Sequence, residues 1–87
     1  MHEQAIRDLS QVLQLDPANI AALNNRGIEY SKLHQHEQAI RDLSQVLQLD
    51  PANIAALNNR GIEYSKLHQH EQAIRDLSQV LQLDPAN

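Results

Sequence analysis

The sequence predicts an all-α fold, an α-solenoid of helix-turn-helix repeats, and three observations carry that reading. The letters recur with a period of 34: "HEQAIRDLSQVLQLDPANIAALNNRGIEYSKLHQ", residues 2–35, returns unchanged as 36–69, and 70–87 repeat its first 18 letters. Apolar residues follow helical spacing, and no segment alternates with period two, so no sheet is expected. The breaker "LDPAN" occurs at 15–19, 49–53 and 83–87. A fixed period of this length marks a stacked array, each unit burying a face against its neighbour.

The elements follow in order as helices over about 3–15, 20–33, 37–49, 54–67 and 71–83. In "HEQAIRDLSQVLQL", Ala39, Ile40, Leu43, Val46 and Leu47 fall at i, i+1, i+4, i+7 and i+8, one face of a helix. Arg41, Asp42, Gln45 and Gln48 are assigned to the polar face. The next segment breaks it: Pro51 disfavours helical geometry at Asp50, and Asn53 is a good N-cap for the next helix. In the second helix type, Ile54, Leu57, Gly61 and Tyr64 lie at i, i+3, i+7 and i+10. A mid-helix glycine costs about 1 kcal/mol against alanine. Its use is to let a neighbouring helix approach closely, with small Ala39 doing the same from the facing helix.

The connection between the second helix type and the next copy of the first is "LHQHEQA", residues 33–39 and 67–73, which holds neither Gly nor Pro. Each of its residues tolerates helix, so one alternative is a straight helix from Ile20 to Leu49, about 45 Å long at 1.5 Å per residue. A lone straight helix cannot fold its two faces together, however. It would forfeit several buried Leu and Ile side chains at ~1.5–3 kcal/mol each. In a single copy the turn is therefore expected to form. In a dimer a partner could supply the same faces.

A 34-residue unit of two helices, with small residues at the crossing and Pro at the closing turn, resembles the tetratricopeptide repeat. Gly27, Tyr30, Ala39 and Pro51 match that family's signature Gly, Tyr, Ala and Pro, as do Gly61, Tyr64, Ala73 and Pro85. The resemblance implies a single domain over 1–87 made of a half repeat (2–19) and two full repeats (20–53 and 54–87). With the unit's helices called A and B, the order is B-A-B-A-B, about two and a half repeats. Departures from the family pattern are Leu23 and Leu57 for a typical Trp, and Arg26 and Arg60 for a common Leu. His34 and His68 replace the Gly that usually ends helix A, and Leu43 and Leu77 replace an aromatic. The copies show no drift and no polar end caps, the pattern of a recent duplication or of an engineered, idealised array. Met1 stands where Gln35 and Gln69 stand in the other copies.

Composition excludes several function classes. Seven basic against eleven acidic residues give a net charge of −4, which argues against nucleic-acid and anionic-membrane partners. There is no Cys for a thiol nucleophile or thiolate metal site, and no apolar run near the ~18 residues a membrane span needs; a cytoplasmic setting is the default expectation. His34 and His36 form H-x-H, as do His68 and His70. On a helix such a pair points about 200° apart and cannot chelate, and the i+4 His of a zinc-binding helix is missing, so these are read as solvated turn residues. A nucleophilic Ser needs a base within hydrogen-bond reach and an oxyanion site, usually from Gly-rich backbone, and no such arrangement is visible around Ser10, Ser31, Ser44, Ser65 or Ser78. Asp and Glu are interspersed with Arg and Lys, as on a solvated helical face; Glu29 and Lys32 are an i, i+3 pair. No catalysis, cofactor or metal is expected.

Family members bind extended peptides on the concave surface lined by A helices, and the resemblance carries that role to the stripe Ala21, Asn24, Ile28, Ser31 and Lys32 and its copy Ala55, Asn58, Ile62, Ser65 and Lys66. The candidate partner-binding residues are thus Asn24, Ile28, Ser31, Lys32, Asn58, Ile62, Ser65 and Lys66. Asn amides can hold a peptide backbone, Lys can meet a carboxylate, and Ile offers apolar contact. Ile28 and Ile62 occupy one Asn position of the clamp by which some members hold chaperone tails, so that partner is not implied. The expected function is a protein-interaction scaffold. The alternative is a self-assembling structural module, joined across a two-fold or by exchange through a straightened "LHQHEQA". Simple head-to-tail stacking would place B upon B and break the alternation.

Overall fold

In the computed structural model, which describes residues 1–85, five helices follow one another: α1 (His2–Leu15), α2 (Ile20–Lys32), α3 (His36–Leu49), α4 (Ile54–Lys66) and α5 (His70–Leu83). The tail of the second full repeat, Ala86 and Asn87, lies outside the described residues. α1, α3 and α5 carry the same fourteen letters, and α2 and α4 the same thirteen. No strand occurs among the described residues.

Local chemistry sets the helix ends. The side chains of Asn19 and Asn53 accept from the N–H groups of Ala22 and Ala56 at 2.9 Å, satisfying donors that the first turn leaves orphaned. α1, α3 and α5 start from Met1, Gln35 and Gln69 with no side-chain cap. Glu3, Glu37 and Glu71 in their first turns complement the helix dipole instead.

At "LHQHEQA" the chain turns. His34 and His68 both take φ 60°, the left-handed region. The His34 N–H donates to the Ser31 carbonyl and the Gln35 N–H to the Tyr30 carbonyl, each at 2.9 Å, the paired bonds of a Schellman motif. Histidine therefore occupies the position that favours glycine.

Each helix packs on the next in sequence. α2 and α4 also lie side by side, whereas α1, α3 and α5 make no close backbone approach to one another. One surface is thus built from the A helices alone. Leu23, Leu43, Val46 and Leu57 fill the core, with Ala39 and Ala56 fully buried between helices. The glycines act as expected: a Cβ on Gly27 would lie 3.2 Å from Leu43 side-chain atoms, and one on Gly61 would lie 3.1 Å from Leu77 Cγ.

One assignment needs correction. Asp42 is 3% exposed and its copy Asp76 is also buried, so neither sits on a polar face. Asp42 lies three residues after Ala39 and four before Val46, on the apolar stripe itself, and a charge can stay there only if it is paired.

Candidate functional site

Two polar networks tie the helices together. Arg26 Nε and Nη2 donate to Asp42 Oδ2 and Oδ1, both at 2.8 Å, and Nη1 donates to Ser10 Oγ at 3.1 Å. A single side chain on α2 thereby joins α1 and α3. Arg60 repeats this with Asp76 and Ser44. Each guanidinium also lies near its neighbouring tyrosine ring, 5.7 Å from the Tyr30 centroid and 5.6 Å from that of Tyr64. The hydrogen bonds to aspartate, more than offsetting burial, hold both arginines above their ordinary pKa. Bidentate pairing supplies what a buried carboxylate needs.

The second network centres on Glu63, 3% exposed. It accepts from Ser31 Oγ at 2.6 Å and meets His36 Nδ1 at 2.6 Å, with Lys66 Nζ 3.5 Å away. Burial pushes the Glu63 carboxyl up, but the Ser31 and His36 hydrogen bonds and the charges of Lys66 and His36 outweigh it. The carboxyl sits below its ordinary range. Glu29 has the matching His2, also at 2.6 Å, and Lys32 at 3.9 Å, but no serine. Glu63 is accordingly not on a solvated face, and His36 is a bridge between repeats rather than a free turn residue. His34 and His36 rings stand edge to face 6.0 Å apart. No group of three or more His, Asp or Glu side chains converges on a metal position among the described residues.

Between α2 and α4 runs a cleft of about 240 Å³, walled by Ile28, Ser31 and Lys32 on one side and Asn59, Ile62, Glu63 and Lys66 on the other, with Gly27 and Leu43 completing it. It brings together five of the eight residues expected to bind a partner: Ile28, Ser31, Lys32, Ile62 and Lys66. Asn24, Asn58 and Ser65 are not part of it. Asn24 Oδ1 is buried without a hydrogen-bond partner, and Ser65 is exposed. Asn59, Glu63, Gly27 and Leu43 were missed because the expected stripe follows one helix, whereas a cleft between two also takes the flank of the second. A larger depression, about 510 Å³, lies over Ile74, Arg75 and Ser78 of α5. It has a single wall and is a helix face rather than a cleft.

The tetratricopeptide repeat model matches residues 20–53 and 54–87. The chain belongs to the tetratricopeptide repeat family. Among solved structures, it is similar to the second tetratricopeptide domain of Spaghetti (RPAP3) bound to an HSP90 peptide, SRMEEVD. The identity there is 30% over 95% of this chain and 77% of that one, with a TM-score of 0.91. The first such domain of the same protein, bound to the same peptide, is 28% identical over 99% of this chain and 68% of that one, TM-score 0.95. The second domain of human RPAP3 in complex with the HSP70 peptide SGPTIEEVD is 31% identical over 99% and 72%, TM-score 0.92. Curated protein sequences gave no match. Within the family pattern, the departure at Arg26 and Arg60 is now explained: arginine stands where leucine is common because Asp42 and Asp76 face it. No helix of the described residues is long and apolar enough to cross a membrane.

Proposed function

We propose that this chain is a non-catalytic interaction scaffold that takes an extended peptide along the surface formed by α2 and α4. The cleft between those helices carries the reading, because it sets two isoleucines, Ile28 and Ile62, beside two lysines, Lys32 and Lys66. Lys32 pairs only loosely with Glu29, at 3.9 Å, and a largely exposed pair of this kind is worth ~1 kcal/mol or less. Lys66 stands at the long distances of 3.5 Å from buried Glu63 and 3.4 Å from Ser31 Oγ, and is itself half exposed. Both ammonium groups can swing to a ligand carboxylate. The chemistry fits a peptide with an apolar side chain flanked by acidic residues. Peptides ending in EEVD, as bound by the similar RPAP3 domains, have the acidic part of that pattern. Isoleucine where a clamp asparagine would stand removes amide contacts, so binding of such tails is expected at micromolar strength or weaker, about −8 kcal/mol or less favourable.

The test is an NMR titration of the labelled chain with SRMEEVD, SGPTIEEVD and a scrambled control. Shifts at Ile28, Lys32, Ile62 and Lys66 are expected. Lys32→Ala with Lys66→Ala should weaken binding about tenfold, as loss of charge-assisted bonds predicts, while Asn58→Ala should matter less. Peptides that bind while leaving α2 and α4 unshifted would refute the site. The alternative of a module whose partner is itself has separate support in the uncovered apolar surface of α5.

A further inference from the structure

α1, α3 and α5 share one sequence in three environments, so differences in their exposure map which faces lack a partner. α3 is packed by α2 on one side and α4 on the other, α1 by α2 alone, and α5 by α4 alone. On α5, Ile74 is 63% and Leu81 56% exposed; their α1 counterparts, Ile6 and Leu13, are covered by α2 to half-buried and buried levels. The uncovered face of α5 is therefore the one that an A helix following it would cover. α1 shows the opposite pattern: Val12 is 41% exposed where Val46 and Val80 are buried, so its uncovered face is the one that the preceding A helix covers in α3 and α5.

The polar groups are unmatched in a complementary way. Inside the array, His36 and Ser31 reach Glu63, and Ser44 receives a bond from Arg60. The copies of these three groups at the far end are His70, Ser65 and Ser78, all exposed and without a partner among the described residues. At the near end, Glu29 holds His2 but has no serine, and its side chain remains 19% exposed against 4% for Glu63. One end of the chain offers the hydroxyl that the other end lacks.

We propose that copies of this chain assemble head to tail, α5 of one copy displacing α1 of the next and docking on its α2. α2 cannot distinguish the two helices, since residues 2–15 and 70–83 are letter for letter the same. The contacts between α1 and α2 are replaced one for one: His70 takes the place of His2 at Glu29, and Ser78 takes that of Ser10 at Arg26. The incoming copy adds what α1 cannot. Its α4 comes alongside the new α2 as α2 and α4 already lie within one chain, and Ser65 completes Glu29 as Ser31 completes Glu63. α1 is the element to give way, because it is held by one helix only and such elements open at lowest cost. Stacking breaks the B–A alternation only while α1 stays docked; once it leaves, the array continues in register. Donor and acceptor faces differ, so the contact is heterologous, and because each junction repeats the step between neighbouring repeats within one chain, the assembly extends the solenoid as an open chain.

Sedimentation and light scattering of the full chain from micromolar to millimolar concentration test this. The mean mass should climb from the single-copy 9.9 kDa without levelling at two copies. Ser78→Lys sets an ammonium where the next copy's Arg26 must come, on a surface exposed in the single chain. It should abolish assembly with helicity unchanged. Mixed with wild type it should shorten the chains, because its own α2 still accepts a donor. Ser10→Lys makes the same change on α1, loosening it from its own Arg26, and should shift assembly to lower concentration. A mass fixed at one copy, a plateau at two, an unaffected Ser78→Lys variant, or a Ser10→Lys variant that assembles no more readily would each overturn the proposal.

Discussion

Replacing His34 and His68 with glycine should raise the stability of the single chain, although no contact is added. Both residues sit at φ 60° in the motif that ends α2 and α4. A side chain in the left-handed region costs ~1–2 kcal/mol per residue. Glycine removes that strain but loosens the unfolded chain, returning ~0.4–1 kcal/mol of the gain. The edge contact between His34 and His36 is also lost, a smaller term because the His34 ring is exposed. The balance is about 0.5–1 kcal/mol per site. The two turns share no hydrogen-bond partner, so the effects should add to ~1–2 kcal/mol. For a domain of this size each kcal/mol moves the melting temperature by about 4–8 °C, so the double variant should melt ~4–16 °C higher. Circular dichroism melts at low micromolar concentration, where association contributes least, provide the assay. His34→Ala with His68→Ala serves as the control; alanine keeps the strain, so this pair should melt at or below wild type. Glycine variants no more stable than wild type, or alanine variants gaining as much, would refute the assignment of strain. The same glycine pair bears on exchange through a straightened turn, because it favours the turn and should then reduce any such dimer.

Identical letters in different surroundings give opposite outcomes at the glycines. Gly27→Ala pushes a Cβ against Leu43, which is 1% exposed and cannot move, whereas Gly61→Ala meets Leu77, which has open space beside it. Denaturant melts should show the first destabilised by ~1–2 kcal/mol and the second unchanged or stabilised by up to ~1 kcal/mol from helix propensity. Arg60→Ala leaves Asp76 buried and unpaired and should cost about 3 kcal/mol, while Arg60→Leu with Asp76→Ala should cost markedly less. The Glu63 carboxyl is held below its ordinary 4.5. Its contribution is thus complete above that value and lost as pH falls through the lower folded-state value. Wild type should lose more stability than Glu63→Gln between pH 6 and pH 3, as read by melting temperature, with the two converging at the acid end.

Most of the fold was legible because each helix agrees at every level of description. The apolar spacing, the Pro and Asn of "LDPAN" and the small residues at the crossing all point to the same boundaries. What was not legible was charge inside the structure. Asp42 and Glu63 read as surface residues by type, although the spacing of Asp42 from Ala39 and Val46 already placed it on the buried stripe. Its partner Arg26 lies 16 residues away, and Glu63 meets His36 and Ser31 at separations of 27 and 32. No local pattern connects residues so far apart; only packing does. The cleft was half legible for the same reason. The residues of α2 that face it follow from one helix, but the flank of α4 that answers them depends on the angle at which the two helices meet.

The connections between helices have a part in folding that their size conceals. Since α1 and α3 are chemically one helix, α4 could pack on either, and side chains give no preference. The chain decides. Four residues, 50–53, join α3 to α4, whereas 38, residues 16–53, separate α1 from α4. Closing the longer loop costs ~2 kcal/mol more by loop-closure entropy. That margin, renewed at each short turn, keeps a repetitive text from being read out of order, and it leaves folding free to begin at any of the neighbouring helix pairs.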